Sequence, residues 1–515
     1  VTTPGLLLIP LSLLLVLLPW RHSFVVLFIY MMLPDVAVLI AGSFGVSAAF
    51  FYGNLMIGRC AVELVLGKRG LNRKILEDLY PLLLFFAIDI VVLWIALSSF
   101  QGKVDVVTGT MGFNLNLAQP YHLARENFTQ LFYLAFHILL IYAMAHQLMR
   151  MEYEMAARIA NRAVTVGGLV AAGAVFWEMA AFYGGVYFPD WFFHSDAHSG
   201  AWGQVTGGSI LRASGSFSEP SGVGFAFAGF LLYAWKRYKL RSGSRVFSMA
   251  FVLTCLVVMA ASTATTAFAA MALFFAVAAK DLLGAHVRVR RTRTGLQLGD
   301  FAAVGLLAAT VFGIVLYLSA NWETVNQVLT RAVYEKDQTG SFTARTSTDL
   351  MAVDILFETG GLGLGLGSHK PSSAVMTVLS NTGIAGFLVL GAFLFMRIRR
   401  YRGPRIEPDP NLTLIPLQWL LIGYLFAHTI SNPNLSSMGV WMACGLLIGL
   451  NASIERRTAA WAIPLRDAFG RPGAPDAGAA GATAGERPAQ AGASGRVREW
   501  RLGDPPRPAS SQGQA

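Results

Sequence analysis

Charge is what this 515-residue chain has least of: 13% of its residues are Asp, Glu, Lys or Arg, about half the share in an ordinary soluble protein. With 55% hydrophobic residues and a mean hydropathy of +0.53, that shortage excludes a soluble globular protein and predicts an all-α, polytopic membrane protein. Cysteine is nearly absent. Cys60, Cys255 and Cys444 lie in apolar runs without CxxC spacing, which argues against a disulfide framework or a thiolate metal site. Nucleotide-binding signatures are missing as well. In "GGLGLGLGSHK" (360–370), Lys370 follows His369 rather than the glycine a P-loop needs. Leu366 stands where the third glycine of a dinucleotide fingerprint belongs. No internal repeat is visible, which counts against a secondary transporter. The N-terminal "PGLLLIPLSLLLVLLPWR" lacks a basic leader and an AxA-like cleavage site, and reads as a retained span.

Apolar runs long enough to cross a bilayer are abundant. Thirteen candidates fall at 5–20, 24–42, 47–65, 80–98, 127–148, 164–185, 222–235, 247–262, 265–280, 299–319, 375–396, 412–430 and 436–452. The expected organisation is an N-terminal transmembrane bundle (1–185), a loop (186–221), further spans (222–319), a second loop with an amphipathic helix around 344–358 (320–374), and C-terminal spans (375–455). From 465 to 515 the Gly/Ala/Pro-rich composition cannot bury a core, and a disordered cytoplasmic tail is expected.

The net charge of +11 gathers in short loops: "GKRGLNRK" (67–74), "RMEYEMAARIANR" (150–162), "KRYKLRSGSR" (236–245), "RVRRTR" (288–293) and "RIRRYRGPR" (397–405). That placement speaks for topology and lipid headgroups rather than nucleic acid. Span counting puts all five loops on one face, cytoplasmic by the positive-inside rule. Segments 99–126, 186–221, 320–374 and 431–435 are then external, or periplasmic in a Gram-negative cell.

Those external segments hold the unusual chemistry. "RASGSFSEPSGVGFAFAGF" (212–230) carries Arg212, Glu219 and Ser221 just before an apolar helix. The loop 320–374 supplies Arg331, Arg345, Ser368, His369 and Lys370, and the last turn supplies His428, Asn432 and Asn434. The turn "STATT" (262–266) adds hydroxyls. A guanidinium fork suits a phosphate or pyrophosphate, and a carboxylate or histidine can take a proton from a sugar hydroxyl. Plainer roles stand beside these: arginines solvated or paired with headgroups, and Glu219 as a helix cap ahead of Pro220. The Gly–Leu alternation reads as flexible backbone delivering His369 and Lys370 to a cavity, or as an anion-binding nest. Asp89, in mid-span, is either a proton site or a satisfied interhelical partner. Glu178, toward the external end of its span, could face the same cavity as Arg212, whereas Asp35 and Glu63 read as interfacial or structural. Trp94, Trp177, Trp191, Trp202 and Trp322 suit interface belts or sugar stacking.

"RASGSFSEPSGVG", "STATTAF", "TARTSTDLMAVDILFETGGLGLGLGSHKPSS" and "LSNTGIAGFLVL" resemble, in that order, the motif blocks of bacterial O-antigen and exopolysaccharide polymerases. Those polymerases share a superfamily with the O-antigen ligases, and the likeness covers roughly residues 200–450. It implies a GT-C-like helical bundle of 12–13 spans in the bacterial inner membrane. Such enzymes join undecaprenyl-pyrophosphate-linked glycan donors and acceptors on the periplasmic side, without metal or cofactor, alongside a chain-length regulator and a flippase. On this likeness Arg212 and Arg345 hold the pyrophosphate, and Glu219 or His369 orients or deprotonates the acceptor hydroxyl. Lys370 helps bind anionic donor groups. Apart from the likeness, Arg331, Ser221, Ser368 and Glu178 are expected as further substrate contacts. His369 is followed by Lys370 rather than the asparagine of the ligase branch, which favours the polymerase over the ligase. A transporter of lipid-linked oligosaccharide is the alternative from another class.

Overall fold

A computed structural model describes residues 1–41, 44–67, 70–108, 117–196, 203–206, 210–292, 340–399, 401, 407–431 and 435–468, with Gly305 and Ala309. The expected span 299–319, the tail from 469 onward, Arg331, Trp202, Trp322, Asn432 and Asn434 lie outside these described residues. Fourteen helices account for most of the described chain. Nine of them are long and apolar enough to cross a membrane, so the protein is an all-α, multi-pass membrane protein. These nine are α3 (Ala48–Leu66), α4 (Arg73–Ser99), α5 (Arg125–Arg150), α6 (Tyr153–Gly184), α9 (Arg245–Ser262), α10 (Thr265–Thr292), α12 (Ala374–Ile398), α13 (Asn411–Ser431) and α14 (Met438–Ala468).

The remaining helices are α1 (Thr3–Leu17), α2 (Trp20–Met31), α7 (Asp190–Phe193), α8 (Pro220–Leu240) and α11 (Gly340–Glu358). The expected span 24–42 is not one. Pro34-Asp35 ends the apolar run after α2, and the chain turns back through an antiparallel hairpin, Ala37–Ala41 with Phe44–Ser47. A proline has no N–H to continue a helix, and a carboxylate is costly inside a span.

Helix α8 is buried along most of its length and packs on α9, α10 and α13. Its contact with α13 is backbone-close. A Cβ at Gly423 would stand 2.4 Å from the Ala228 carbonyl oxygen, so only glycine fits there without a backbone shift.

The two ends of the bundle differ in charge. At one end the basic loops meet acidic partners: Arg150 with Glu63 (3.4 Å), Lys74 with Glu455 (3.5 Å), Arg397 with Asp78 (3.1 Å) and Arg457 with Glu154. The segments poor in basic residues come together at the other end. Ala37 N–H donates to Ser195 Oγ (3.0 Å), His194 Nε2 meets the Phe217 carbonyl (3.1 Å), and Lys370 N–H donates to the Val107 carbonyl (2.9 Å).

The Gly–Leu run is pinned rather than flexible. Leu364 and Leu366 are buried, and the Leu366 N–H donates to Asp89 Oδ1 (2.8 Å). Asn127 Nδ2 donates to the Leu366 carbonyl (2.9 Å) and to Ser368 Oγ (2.8 Å). Asn381 Oδ1 accepts from the Ser368 and His369 N–H groups (3.1 and 3.0 Å). Amides already engaged in this way cannot form an anion nest. Asp89 is thus a tether for the run as well as a buried carboxylate. Gly367 has φ +86°, and a Cβ there would lie 2.5 Å from the Glu126 carbonyl oxygen. We expect Gly367→Ala to cost about 1–3 kcal/mol from the backbone conformation alone. Thermal melting in detergent checks this, and a melting temperature equal to the wild type would refute the pinned arrangement.

Candidate functional site

Glu178, near the end of α6, organises one wall of the site. Its Oε2 accepts N–H bonds from Ser214 (2.7 Å) and Gly215 (2.6 Å), and its Oε1 accepts from Gly203 (3.2 Å). Ser216 Oγ donates to the Met32 carbonyl. These bonds shape the turn 213–218 and deliver Glu219 to the N-cap of α8, where its side chain makes no capping bond. Instead the exposed carboxylate accepts from Ser221 Oγ (3.0 Å). Glu178 is therefore an anchor saturated by backbone donors, not the substrate contact expected from sequence.

The Gly–Leu run and α11 build the opposite wall. Lys370 leaves the run into a cavity of about 550 Å³, and Arg345, on α11, enters it from the same side. Burial pushes the Lys370 ammonium below the usual lysine range, and the Glu219 carboxylate opposes that shift. The cavity thus brings together Glu219, Ser221, Arg345 and Lys370 from segments far apart in sequence. His428 lines it as well, stacked on Phe225 with ring centroids 5.9 Å apart. His428 and Ser437 also line a neighbouring apolar cleft of about 120 Å³ between α12, α13 and α14. A polar chamber therefore adjoins an apolar one.

His369 is not in the chamber wall. Its Nδ1 accepts from the Val107 N–H (3.2 Å), which leaves the ring proton on Nε2, donated to the Thr348 carbonyl (3.0 Å). Burial pushes its pKa down to about 4, with the Thr348 carbonyl and the Asp349 charge opposing. A neutral imidazole with both nitrogens engaged braces the loop on α11 and has no lone pair to offer a hydroxyl. Ser368 is likewise internal: it donates to the Leu364 carbonyl (2.7 Å) and accepts from Asn127. Arg212 follows the short strand pair Val205–Thr206 and Ile210–Leu211, with its N–H on the Gln204 carbonyl (2.7 Å). It is not among the cavity-lining residues, although the chain reaches the wall a few residues later at Phe217. In the STATT turn Ser262 bonds back to the Met259 carbonyl (2.7 Å) and also lies outside the wall.

Two carboxylates in the chamber escaped the sequence reading: Asp35, taken as interfacial or structural, and Asp196, which was not singled out. The Asp196 N–H donates to the Asp35 carbonyl oxygen (3.1 Å), so the linker between α2 and the strand Ala37–Ala41 meets the segment after α7 here. Desolvation pushes the Asp35 pKa up to about 6; His194 draws it down, Asp196 raises it, and hydrogen bonds from Ser218 lower it. The Pro34-Asp35 interruption of an apolar run was the one signal for this residue. Among the described residues no group of three or more His, Cys, Asp or Glu is placed to hold a metal ion.

Comparison with protein-family models and with curated proteins finds no match to this chain.

The raised pKa of Asp35 has a consequence for stability. The folded protein favours the protonated carboxyl, so ionisation costs stability, increasingly as the pH rises from about 4 to about 6. Asp35→Asn removes that cost. Its melting temperature should exceed the wild type's by a margin that grows from pH 4 to pH 7 and then stays level. A margin independent of pH would show that the Asp35 pKa is the same in the folded and unfolded chain, and would overturn the shift.

Proposed function

We propose that the protein is a membrane glycosyltransferase that polymerises undecaprenyl-pyrophosphate-linked oligosaccharide repeat units into O-antigen or exopolysaccharide. The observation that carries this reading is the chamber itself. Two cations, Arg345 and Lys370, and the carboxylate of Glu219 line one cavity that adjoins an apolar cleft through His428 and Ser437. A lipid-linked sugar diphosphate has the matching parts: an anionic diphosphate, a hydroxyl-rich glycan and a hydrocarbon chain. The order of motif blocks in residues 200–450 supports the same class.

The chemistry needs little else. The anomeric carbon–oxygen bond to the diphosphate breaks while the acceptor hydroxyl oxygen forms the new glycosidic bond. Arg345 and Lys370 stabilise charge growing on the leaving diphosphate, which is where preorganised cations count most. Glu219 takes the acceptor's proton, and Ser221 holds its carboxylate in place. Aligning two large lipid-linked substrates in one chamber supplies the rest. His369 contributes by bracing the loop that carries Lys370.

The charge difference between the ends supports the orientation. Basic loops mark the cytoplasmic face, so the chamber opens on the outer, periplasmic side of the inner membrane. A cysteine at position 345 should react with a membrane-impermeant maleimide added to intact spheroplasts. Labelling only after lysis would overturn this sidedness.

The activity is tested in membranes supplied with a lipid-linked repeat unit. Arg345→Ala and Glu219→Gln should each lower polymer formation about 100-fold or more, with single-repeat products remaining and membrane expression unchanged. Polymer at wild-type levels in both variants would remove the site assignment. Long chains accumulating on the carrier after deletion of the gene would instead indicate a ligase.

A further inference from the structure

At the far end of α8 a second cavity, about 510 Å³ in volume, opens between α6, α8 and α9. Arg158, Arg162 and Arg237 line it, and no carboxylate does. From Ser221 to Arg237 the helix advances about 24 Å, close to the depth of a bilayer's hydrocarbon core. The two cavities therefore lie about the depth of a hydrocarbon core apart along α8.

Spacing on α6 makes the cleft a designed surface rather than a chance cluster. Arg158, Arg162, Thr165 and Leu169 recur every three or four residues and so share one stripe of the helix. Arg237 reaches this stripe from α8 and is held rigidly. Its Nε and Nη2 donate to the Ser242 carbonyl (3.1 and 3.0 Å), and its Nη1 donates to Thr165 Oγ1 (3.1 Å) and Tyr233 Oη (3.3 Å). Every one of those acceptors is neutral, so the guanidinium charge is positioned without being cancelled. The turn beside it leaves room: Gly243 has φ +100°, and a Cβ there would stand 2.8 Å from Arg237 Nη2.

None of the three arginines forms an ion pair among the described residues. Glu154, whose carboxylate senses Arg158, is engaged by Arg457. The rim of the cleft is apolar. Leu169 and Phe247 remain 41% and 42% exposed on helices that span the membrane, so hydrocarbon is their natural neighbour. Three guanidinium groups without a salt bridge, beside exposed hydrocarbon, match one kind of molecule, an amphiphile with an anionic phosphate head.

We propose that this cleft binds the phosphate of an anionic membrane phospholipid, with Arg158 and Arg162 closing on its oxygens beside the fixed Arg237. The acyl chain then follows Leu169 and Phe247. This assignment is independent of glycosyl transfer and stands or falls without it.

The test uses the full chain in nanodiscs of phosphatidylcholine with and without phosphatidylglycerol. Retained lipid is counted by native mass spectrometry. The wild type should retain phosphatidylglycerol in preference to phosphatidylcholine. Arg158→Gln with Arg162→Gln should weaken that preference roughly ten- to thirty-fold. Both side chains are exposed, so melting in pure phosphatidylcholine discs should match the wild type. Arg162→Glu alone provides the same readout should the double variant fail to fold. No preference in the wild type, or an unchanged preference in the variants, would overturn the proposal. So would inorganic phosphate stabilising the protein in phosphatidylcholine discs as well as phosphatidylglycerol does, since the ligand would then be a soluble anion.

Discussion

Backbone that leaves the helical path near a membrane must find hydrogen-bond partners within the protein, because hydrocarbon offers none. The candidate site depends on that constraint. Its two key segments, 213–219 and 359–370, are not helical, and each is held by polar side chains buried in the neighbouring helices. Glu178 satisfies the first by accepting from Ser214 and Gly215. Asp89, Asn127 and Asn381 satisfy the second from α4, α5 and α12. Glu219 and Lys370 are the residues at which these held segments release a charged side chain into the chamber. Positioning cost is thus met by residues that never face the chamber.

Helix α8 links this arrangement to the rest of the bundle. Its N-terminus forms the floor of the chamber, and its C-terminus carries Lys236, paired with Asp281, and Arg237. Buried against α9, α10 and α13, it behaves as a rigid post between two polar ends. Its glycines and its basic last turn keep it less apolar than α9 and α13, yet it is among the most enclosed helices of the protein. Enclosure by other helices, not lipid contact, is what its composition serves.

Much of the architecture was legible in the order of residues. Nine of the thirteen expected spans are long apolar helices, and a helix, Gly340–Glu358, covers the stretch around 344–358, though without the marked amphipathicity expected of it. Such features follow from local periodicity, which needs no knowledge of partners. The span drawn through 24–42 failed because an apolar count of residues 37–47 cannot tell a hairpin from a helix segment. His369 and Glu178 were read as chemical because their residue types permit chemistry. What decides their roles is whether their polar atoms are already occupied, and for both they are.

By itself, the sequence determined that the chain is helical, crosses a membrane many times and gathers its basic residues in alternating loops, since hydropathy and charge are properties of short segments. Only the tertiary structure decided which titratable groups share a chamber. Asp35, Asp196, Glu219, Arg345 and Lys370 come from five segments, and their meeting rests on long-range backbone bonds such as Asp196 to Asp35 and Lys370 to Val107. Electrostatic coupling between charged groups depends on distance in space and on burial, and neither is written in the spacing along a chain.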